Sequence, residues 1–335
     1  MVLLKGLWFC SKCDLVFLFL CCRWKARSHA ILSVLKNLQA DFFCLQEVDE
    51  YDSFYRNNMD SLGYSGIYIQ RTGQRKRDGC AIFYKPSCAE LVTKERIEYN
   101  DLVDSIKADS VSCSEQKIET SNEGKGDEKA KDKFVLLEEK KANTFRDLND
   151  PLVRLKRDCV GIMAAFRINK PFQHIVIVAN THLYWDPELA DVKLAQAKYL
   201  LSRLAQFKTL ISDEFECTPS LLLAGDFNSI PGDMVYSYLV SGNAKPTETI
   251  EEEEAPVPLS SVYEVTRGEP KFTNCTPGFT NTLDYIFISP SDFIKPVSIL
   301  QLPEPDSPDV VGFLPNHHHP SDHLPIGAEF EIRRE

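Results

Sequence analysis

Short apolar runs and longer amphipathic stretches alternate along this chain. Apolar residues recur at helical spacing within residues 24–38, 187–207 and 233–241, which predicts three helices. The apolar runs predict strands. They lie at residues 42–45, 64–70, 80–85, 159–166, 172–180, 221–224, 283–288 and 326–332. Helices that alternate with apolar strands are typical of an α/β fold.

The first 23 residues form an atypical apolar segment. Residues 15–22 are an apolar run of eight, which is too short to span a bilayer. No small-residue cleavage motif of a signal peptide follows it. We therefore expect this run to form a buried strand beside the strand at residues 42–45. Cys10 and Cys13 form a Cys-x-x-Cys pair, but the spacing to the next two cysteines is cramped for zinc.

A polar stretch interrupts the alternation. Residues 110–143 are rich in Ser, Glu, Lys, Asp and Gly and contain few aromatic residues. Such a segment has too little apolar surface to offset an ordering entropy of ~1–2 kcal/mol per residue. We expect a flexible insertion at about residues 100–150 within one domain that covers residues 24–335.

Polar side chains of similar chemistry stand at the ends of five predicted strands. In α/β sheets, groups that bind ligands gather beyond strand ends. Residues of these types also occur where an Asp or Asn side chain stabilises a turn, or where a strand end is solvated. The residues concerned are Glu47, His182, Asp226, Asn228, Asp284, Asp322 and His323.

Carboxylate, amide and imidazole groups at one sheet edge would suit phosphate chemistry. Oxygen ligands favour Mg²⁺ or Mn²⁺ over zinc. A carboxylate can also accept a proton from water, and a His beside an Asp suits proton transfer or charge stabilisation. A second feature is the basic turn with Arg71, Arg75, Lys76 and Arg77, which is either a solvated hairpin tip or a contact for a phosphate backbone.

Composition narrows the class of protein. The 335 residues are 43% hydrophobic and 26% charged, as in globular proteins, and they carry a net charge of −11. An acidic protein repels nucleic acid unless a bound cation or a basic patch compensates, so a metal-dependent site is favoured over simple nucleic-acid coating. The cysteine count of 11 is odd and fits a reducing intracellular compartment.

Five short motifs occur in the order found in one superfamily. They are Leu-Gln-Glu-Val at residues 45–48, Thr-His-Leu at 181–183, Gly-Asp-Phe-Asn-Ser at 225–229, Leu-Asp-Tyr-Ile at 283–286 and Ser-Asp-His-Leu-Pro at 321–325. In these motifs the chain resembles the exonuclease–endonuclease–phosphatase superfamily. It is most similar to the carbon-catabolite-repressor-type deadenylases, the group of nocturnin, angel and the plant hesperin-like proteins. The resemblance covers roughly residues 24–333.

The resemblance implies a four-layer α/β sandwich with two central mixed β-sheets. It also implies a magnesium-dependent 3′-to-5′ exoribonuclease that removes poly(A) tails from mRNA as AMP. The expected partners are single-stranded RNA, with its poly(A) tail, and proteins of RNA decay. No association with a membrane is expected. The expected location is the cytoplasm and also the nucleus. A small-nucleotide phosphatase of the same superfamily is the main alternative, because loops build the substrate pocket.

The same resemblance assigns roles residue by residue. Glu47 would bind Mg²⁺, with Mn²⁺ as a substitute, and Asp322 would assist a second metal ion. Asp226 would position or deprotonate the attacking water. Asn228 would orient the scissile phosphate.

Two histidines complete the implied site. His182 and His323 would stabilise the charge that develops on the phosphate, and Asp284 would orient His323. Together with the preceding residues, they form a site assembled from five separate motifs.

The chain departs from the family pattern at its beginning. Family members begin with a strand that ends in an Asn whose amide helps to bind the metal, and no such motif precedes Trp24. The N-terminus therefore resembles a truncated or altered version, with one metal-ligand position missing. A weakened RNA-binding pseudoenzyme is accordingly a further alternative.

Overall fold

The computed structural model describes residues 24–104, 149–169, 173–241, 255–291 and 293–333, together with the backbone of residues 2–5. The apolar run at residues 15–22, the Cys10–Cys13 pair and the polar stretch at residues 110–143 lie outside the described residues. Within the described part, no helix combines the length and the apolar character needed to cross a membrane.

Helices and strands alternate as the sequence pattern predicts. The helices are α1 (Trp24–Leu38), α2 (Arg56–Ser61), α3 (Pro151–Arg154), α4 (Ala190–Phe215), α5 (Met234–Ser241) and α6 (Val262–Thr266). The first seven strands are β1 (Val2–Lys5), β2 (Phe42–Gln46), β3 (Ser65–Gln70), β4 (Gly79–Tyr84), β5 (Ala89–Glu98), β6 (Val160–Ile168) and β7 (His174–His182). The others are β8 (Ser220–Asp226), β9 (Ser260–Ser261), β10 (Asn274–Thr276), β11 (Phe279–Asn281), β12 (Asp284–Ile288), β13 (Ile294–Ile299) and β14 (Ile326–Ile332).

Two six-stranded mixed sheets form the centre of the molecule. Sheet I has the strand order β13-β14-β1-β2-β4-β3, and sheet II has the order β5-β6-β7-β8-β12-β9. Their facing sides share one apolar core, in which Cys44 and Ile82 of sheet I join Phe166 and Val178 of sheet II. This arrangement confirms the predicted pair of central mixed sheets.

Helices cover the outer faces of the sheets. Because successive side chains of a strand point to opposite faces, Phe43 and Leu45 of β2 lie outside the central core. They pack with Ile31 and Leu35 of the amphipathic helix α1. On the other side, α4 contacts β6 and α5. Helix, sheet, sheet and helix are the four predicted layers.

Most predicted elements agree with the structure to within a few residues. Helix α1 and strand β14 have the predicted bounds, while α4 runs eight residues further than predicted, to Phe215. Six of the described strands were missed, namely β1, β5, β9, β10, β11 and β13. Of these, β5 and β13 are edge strands with an irregular register, and Pro296 marks the irregularity in β13. Edge strands carry polar residues and proline, so their hydrophobic pattern is weak.

The strand beside β2 differs from the expectation. Residues 15–22 were expected there, but β1 occupies that place: it pairs in parallel with β2, and Lys5 lies opposite Gln46. On its other edge β1 pairs with β14, and β4 takes the second edge of β2. Val2–Lys5 is only four residues long, too short for its apolar pattern to stand out in the sequence.

The chain divides into two compact units. One comprises residues 1–98 and 159–335, and the other comprises residues 99–158, close to the insertion predicted at about 100–150. Within the smaller unit, the Asn100 Nδ2 atom donates a hydrogen bond of 2.8 Å to Asp158 Oδ1. The flexibility of the insertion and the assignment of residues 24–335 to one catalytic domain stay predictions.

Candidate active site

Three strands of sheet II bring polar side chains to one edge of the sheet. Strands β7 and β8 are parallel, and His182 lies beside Asp226 in their register. Strand β12 runs antiparallel to β8, and Asp284 lies on the other side of Asp226. Because the three residues lie directly opposite one another on neighbouring strands, their side chains stand in a row. His182 Nε2 lies 3.6 Å from Asp226 Oδ2.

The close approach of β7 and β8 at this edge requires a glycine. A Cβ atom on Gly225 would lie 2.4 Å from the carbonyl oxygen of Thr181 and 2.8 Å from its Cγ2 atom. Gly225 therefore allows β8 to deliver Asp226 directly beside His182. The Gly-Asp pair of the motif at residues 225–229 has a structural reason as well as a chemical one.

A tight turn follows Asp226. The backbone N–H of Asn228 donates to Asp226 Oδ1 at 2.8 Å, and Asn228 has a left-handed φ of 49°. Its Nδ2 atom donates to the carbonyl of Leu183 at 2.9 Å. An Asp side chain thus stabilises a turn here, which is one of the roles that the sequence left open for these residues. The same turn places Asn228 at the sheet edge.

A buried lysine holds this turn from helix α4. Lys193 is 5% exposed, and its Nζ atom donates to the carbonyl of Asn228 at 2.7 Å. Burial lowers the pKa of Lys193 below its ordinary value. Sequence reasoning missed Lys193, because a charged residue on an amphipathic helix is usually solvent-exposed.

His323 reaches the same site from the loop before β14. Its Nδ1 atom lies 2.6 Å from Asp284 Oδ2, and both side chains are 2% exposed. The hydroxyl of Thr273 also donates to Asp284 Oδ2, at 2.6 Å. A carboxylate only accepts, so Nδ1 of the imidazole carries a proton and Nε2 is directed away from Asp284. Thr273 was another residue that the sequence pattern did not indicate.

Asp226, Asp284 and His323 form a group with metal-binding potential. One ligand atom of each lies within 4.8 Å of the others. Two of the three donors are carboxylate oxygens, the ligand type that Mg²⁺ and Mn²⁺ prefer, whereas an imidazole nitrogen is more typical of zinc, iron or copper sites. Two ionised carboxylates buried side by side repel each other, and a cation relieves that repulsion. These residues therefore fit a divalent metal ion.

Glu47 comes to the site from sheet I. It follows β2 directly, has a left-handed φ of 55° and is 6% exposed. Glu47 and His182 line the same pocket, which has a volume of about 280 Å³. His182, which also contacts Asp226, is the residue that this pocket shares with the row of side chains on sheet II.

The pocket also contains a cation and an exposed aromatic ring. Arg71, from the predicted basic turn, lines it and forms an ion pair with Asp78 at 3.4 Å. Trp185 lines it with 60% of its surface exposed. The other three basic residues of the turn do not line it. The sequence pattern indicated the turn but not Trp185.

Asp322 is placed differently from the other predicted residues. Its carbonyl oxygen accepts hydrogen bonds from the backbone N–H of Cys275 and from Asn274 Nδ2, both at 3.2 Å. Among the described residues, its carboxylate does not belong to the group of three ligand atoms around Asp226. The structure thus brings together six of the seven predicted residues by direct contact or a shared pocket.

The sequence model of one protein family matches this chain over residues 20–323. This range includes every site residue above. The chain belongs to the endonuclease/exonuclease/phosphatase family. The nucleases of this family depend on metal ions, in agreement with the ligand set. The predicted superfamily is therefore confirmed.

Curated relatives place the chain within the family. It is 93% identical over 315 residues to carbon catabolite repressor protein 4 homolog 4 of Arabidopsis thaliana, an alignment that covers 94% of this chain and 72% of that protein. It is 30% identical over 325 residues to the probable CCR4-Not complex 3′-5′-exoribonuclease subunit Ccr4 of Vairimorpha ceranae, with 92% and 58% covered. The chain is thus a carbon-catabolite-repressor-4-type member, a hydrolase class that includes 3′-5′ exoribonucleases, as predicted.

A solved structure supports the fold and belongs to a protein that is described with a different activity. The crystal structure of ANGEL2, described as a 2′,3′-cyclic phosphatase, in complex with adenosine-2′,3′-vanadate matches with a TM-score of 0.65 and 27% identity. The match covers 92% of this chain and 87% of that one. The predicted kinship with the angel group is confirmed by this likeness.

Proposed function

We propose that this chain is a magnesium-dependent 3′-to-5′ exoribonuclease that shortens poly(A) tails and releases AMP. The observation that supports this function best is the row formed by His182, Asp226 and Asp284 at one sheet edge. His182 of this row also lines a pocket that offers Glu47, a cation and an exposed aromatic ring. It combines the groups needed to hold a phosphate, activate water and bind a base.

Glu47 binds the metal ion in this proposal, and Asp322 assists a second one. Bound Mg²⁺ would polarise the phosphate and lower the pKa of a coordinated water. The left-handed backbone of Glu47 turns its carboxylate toward the pocket shared with His182.

Asp226 orients the attacking water and accepts its proton. Its Oδ1 atom is engaged by the N–H of Asn228, whereas Oδ2 is the atom that faces His182. Asn228 uses one N–H of its amide on Leu183, and the second N–H is the donor for a phosphate oxygen. Lys193 keeps this amide in place through the backbone.

The two histidines stabilise the negative charge that develops on the phosphate. His323 receives its orientation from Asp284. With a proton on each ring nitrogen, it donates from Nδ1 to Asp284 and from Nε2 to the phosphate. His182 stands on the other side of Asp226 and meets the same group. Arg71 supplies positive charge within an otherwise acidic protein, next to the RNA backbone.

Replacing Trp185 by Ala is expected to raise the KM for oligo(A) about tenfold and to change kcat less than about twofold. A base stacked on an aromatic ring contributes about 1–3 kcal/mol, and this stacking does not depend on the chemical step. Steady-state kinetics on an oligo(A) substrate measures both constants. Val297→Ala is the control, because Val297 is 59% exposed on β13 and lies outside the pocket. An unchanged KM in Trp185→Ala would contradict the stacking role.

Hydrolysis of a small nucleotide is the second candidate. It is favoured by the likeness to ANGEL2, whose described activity is on 2′,3′-cyclic phosphates. The pocket, with a volume of about 280 Å³, is close to the lower end of the size range of small-molecule sites. A weakened, RNA-binding form of the enzyme, the further alternative left open by the sequence, is the third candidate.

The deciding experiment compares substrates on the purified chain. Oligo(A), oligo(U), adenosine 2′,3′-cyclic phosphate and NADP are incubated with Mg²⁺, with Mn²⁺ and with EDTA. We expect a ladder of shortened oligo(A) with AMP as product, at least about tenfold slower cleavage of oligo(U), and no product with EDTA. Faster turnover of either small nucleotide would favour the second candidate, and RNA binding without product would favour the third.

Its partners in the cell are also proposed from its relatives. The Ccr4 relatives are described as subunits of the CCR4-Not complex, so we place this chain among RNA-decay proteins of the cytoplasm and nucleus. Purification from cell extract with RNase treatment would show which of these partners bind without RNA.

A further inference from the structure

A buried pair of amides connects the two sheets close in sequence to Glu47 and His182, which line the pocket. Gln46 is the last residue of β2 in sheet I, and Asn180 lies in β7 of sheet II; both are 0% exposed. Gln46 Nε2 donates to Asn180 Oδ1 at 2.6 Å. This is a side-chain hydrogen bond between residues 134 positions apart in the sequence.

Backbone contacts determine how the Asn180 amide is oriented. Its Nδ2 atom donates to the carbonyls of Leu45 and Ala81, each at 2.9 Å. These two residues face each other across the β2–β4 pair of sheet I. Because both N–H groups of the amide are used there, Oδ1 must be the atom that faces Gln46, and Gln46 must present its Nε2. The pair therefore has one allowed arrangement.

Both amides are close in sequence to residues of the site. Gln46 immediately precedes Glu47, whose left-handed φ of 55° is a costly conformation for a residue with a side chain. Asn180 lies two residues before His182 on the same strand, so both side chains point to the same face of sheet II. The bridge therefore joins the Glu47 end of sheet I to the His182 end of sheet II.

We propose that Gln46 and Asn180 are positioning residues that set the separation between Glu47 and His182, and hence the geometry in which metal and phosphate are bound. This inference rests on the proposed function, since Glu47 is taken as a metal ligand. Neither amide touches substrate. Their effect is indirect: the three hydrogen bonds of Asn180, one of them from Gln46, hold the end of β2 against β7 and support the kinked backbone at Glu47.

Outer hydrogen bonds of this kind strongly influence metal sites. Loss of a supporting interaction commonly costs about 10–100-fold in metal affinity or activity. The expected change falls on kcat and metal binding, because those depend on the position of Glu47. The base-binding part of the pocket, at Trp185, lies on the loop after β7 and keeps its geometry, so KM should change little.

The test replaces Gln46 by Met, which has a similar shape but cannot donate a hydrogen bond. We expect kcat on oligo(A) to fall about 10–100-fold and KM to stay within about twofold. Independently of activity, calorimetric titration with Mn²⁺ should show a dissociation constant raised about tenfold. Gln46→Asn keeps the amide but is one methylene too short to reach Asn180. It should lower kcat and raise the Mn²⁺ dissociation constant as well, and it replaces Gln46→Met in the test if that variant does not fold.

Ser220→Ala provides the matched control. Ser220 is 2% exposed at the start of β8, and its hydroxyl is 2.8 Å from His174 Nε2, at the end of β7 and β8 that is remote from the site. This variant also loses one buried side-chain hydrogen bond, so its melting temperature should fall by a similar amount. Its kcat and Mn²⁺ affinity should equal those of the unaltered chain.

A double-variant cycle tests whether the two amides act as one unit. Asn180→Leu should impair Mn²⁺ binding at least as much as Gln46→Met, and the double variant should be no worse than Asn180→Leu alone. The inference is overturned if Gln46→Met keeps its Mn²⁺ affinity, or if Ser220→Ala loses as much of it. If the unaltered chain fails to cleave oligo(A), the proposed function fails, while the Mn²⁺ titrations still decide whether the bridge positions Glu47.

Discussion

Replacing Asp226 by Asn is expected to lower kcat on oligo(A) by about 10³-fold or more. The carboxylate is the proposed proton acceptor and lies at the centre of the row formed with His182 and Asp284. An Asn side chain has almost the same shape but accepts no proton at neutral pH. Single-turnover measurements with saturating enzyme would report the chemical step directly.

The same substitution should leave the fold intact. The Oδ1 atom of an Asn side chain can still accept the N–H of Asn228, which holds the turn at 2.8 Å in the structure. Removal of one of two adjacent buried carboxylates also relieves repulsion. We therefore expect the melting temperature of Asp226→Asn to stay the same or rise in the absence of metal. A lowered melting temperature with retained activity would show that Asp226 is a structural residue.

Asp233→Asn is the matched control for this substitution. Asp233 Oδ1 accepts the backbone N–H groups of Val235 and Tyr236 at the start of α5, each at 2.9 Å. An Asn side chain can fill the same capping role. The control therefore makes the same chemical change outside the site, and its kcat should match that of the unaltered chain.

Replacing Asp284 by Asn is expected to lower kcat by about 10³-fold while KM changes little. The Asp284 carboxylate accepts from His323 Nδ1 at 2.6 Å and thereby directs Nε2 away from itself, toward the proposed position of the phosphate. An amide carries no negative charge, so it no longer stabilises the doubly protonated ring that the proposed role requires. Nitrogen chemical shifts of the histidine ring would reveal its protonation state.

Two further variants distinguish this role from a general loss of packing. Thr273→Val removes the 2.6 Å hydrogen bond to Asp284 but keeps the carboxylate, so we expect a smaller loss, of about tenfold. The double variant Asp284→Asn with His323→Ala should be no less active than His323→Ala alone, because both changes disable one unit. Additive losses in that pair would argue against the orienting role.

Much of the fold could be predicted because its signal is local. The amphipathic period of α1 and the apolar runs of β8 and β14 each lie within a short window of sequence, and each element formed where its pattern indicated. The polar residues at strand ends were equally visible, because a carboxylate directly after an apolar run stands out. His182, Asp226 and Asp284 were recognisable for this reason.

The elements that sequence reasoning missed depend on partners far along the chain. Strand β1 is only four residues long, and it is a strand because β2 and β14 pair with both of its edges. The edge strands β5 and β13 have weak hydrophobic patterns for the opposite reason, since each has a sheet partner on one side alone. A window of neighbouring residues contains no information about such pairings.

The supporting side chains of the site were hidden for a related reason. Lys193, Thr273 and the Gln46–Asn180 pair occupy positions where the sequence alone indicates a solvated helix face, a loop and two strand ends. Their roles arise from hydrogen bonds that span 11 to 134 positions of sequence. Burial then makes each of these bonds obligatory, because an unpaired polar group inside the protein is costly.

The sequence by itself determined the class of fold, the positions of most strands and helices, and the chemical types at the strand ends. Those features follow from hydrophobic periodicity and side-chain chemistry, which act over a few residues. Only the tertiary structure decided that His182, Asp226 and Asp284 share one register, that His323 binds Asp284, and that two amides join the sheets beneath Glu47. Strand register and the packing of sheet on sheet are long-range properties, and they depend on the whole core rather than on any single segment.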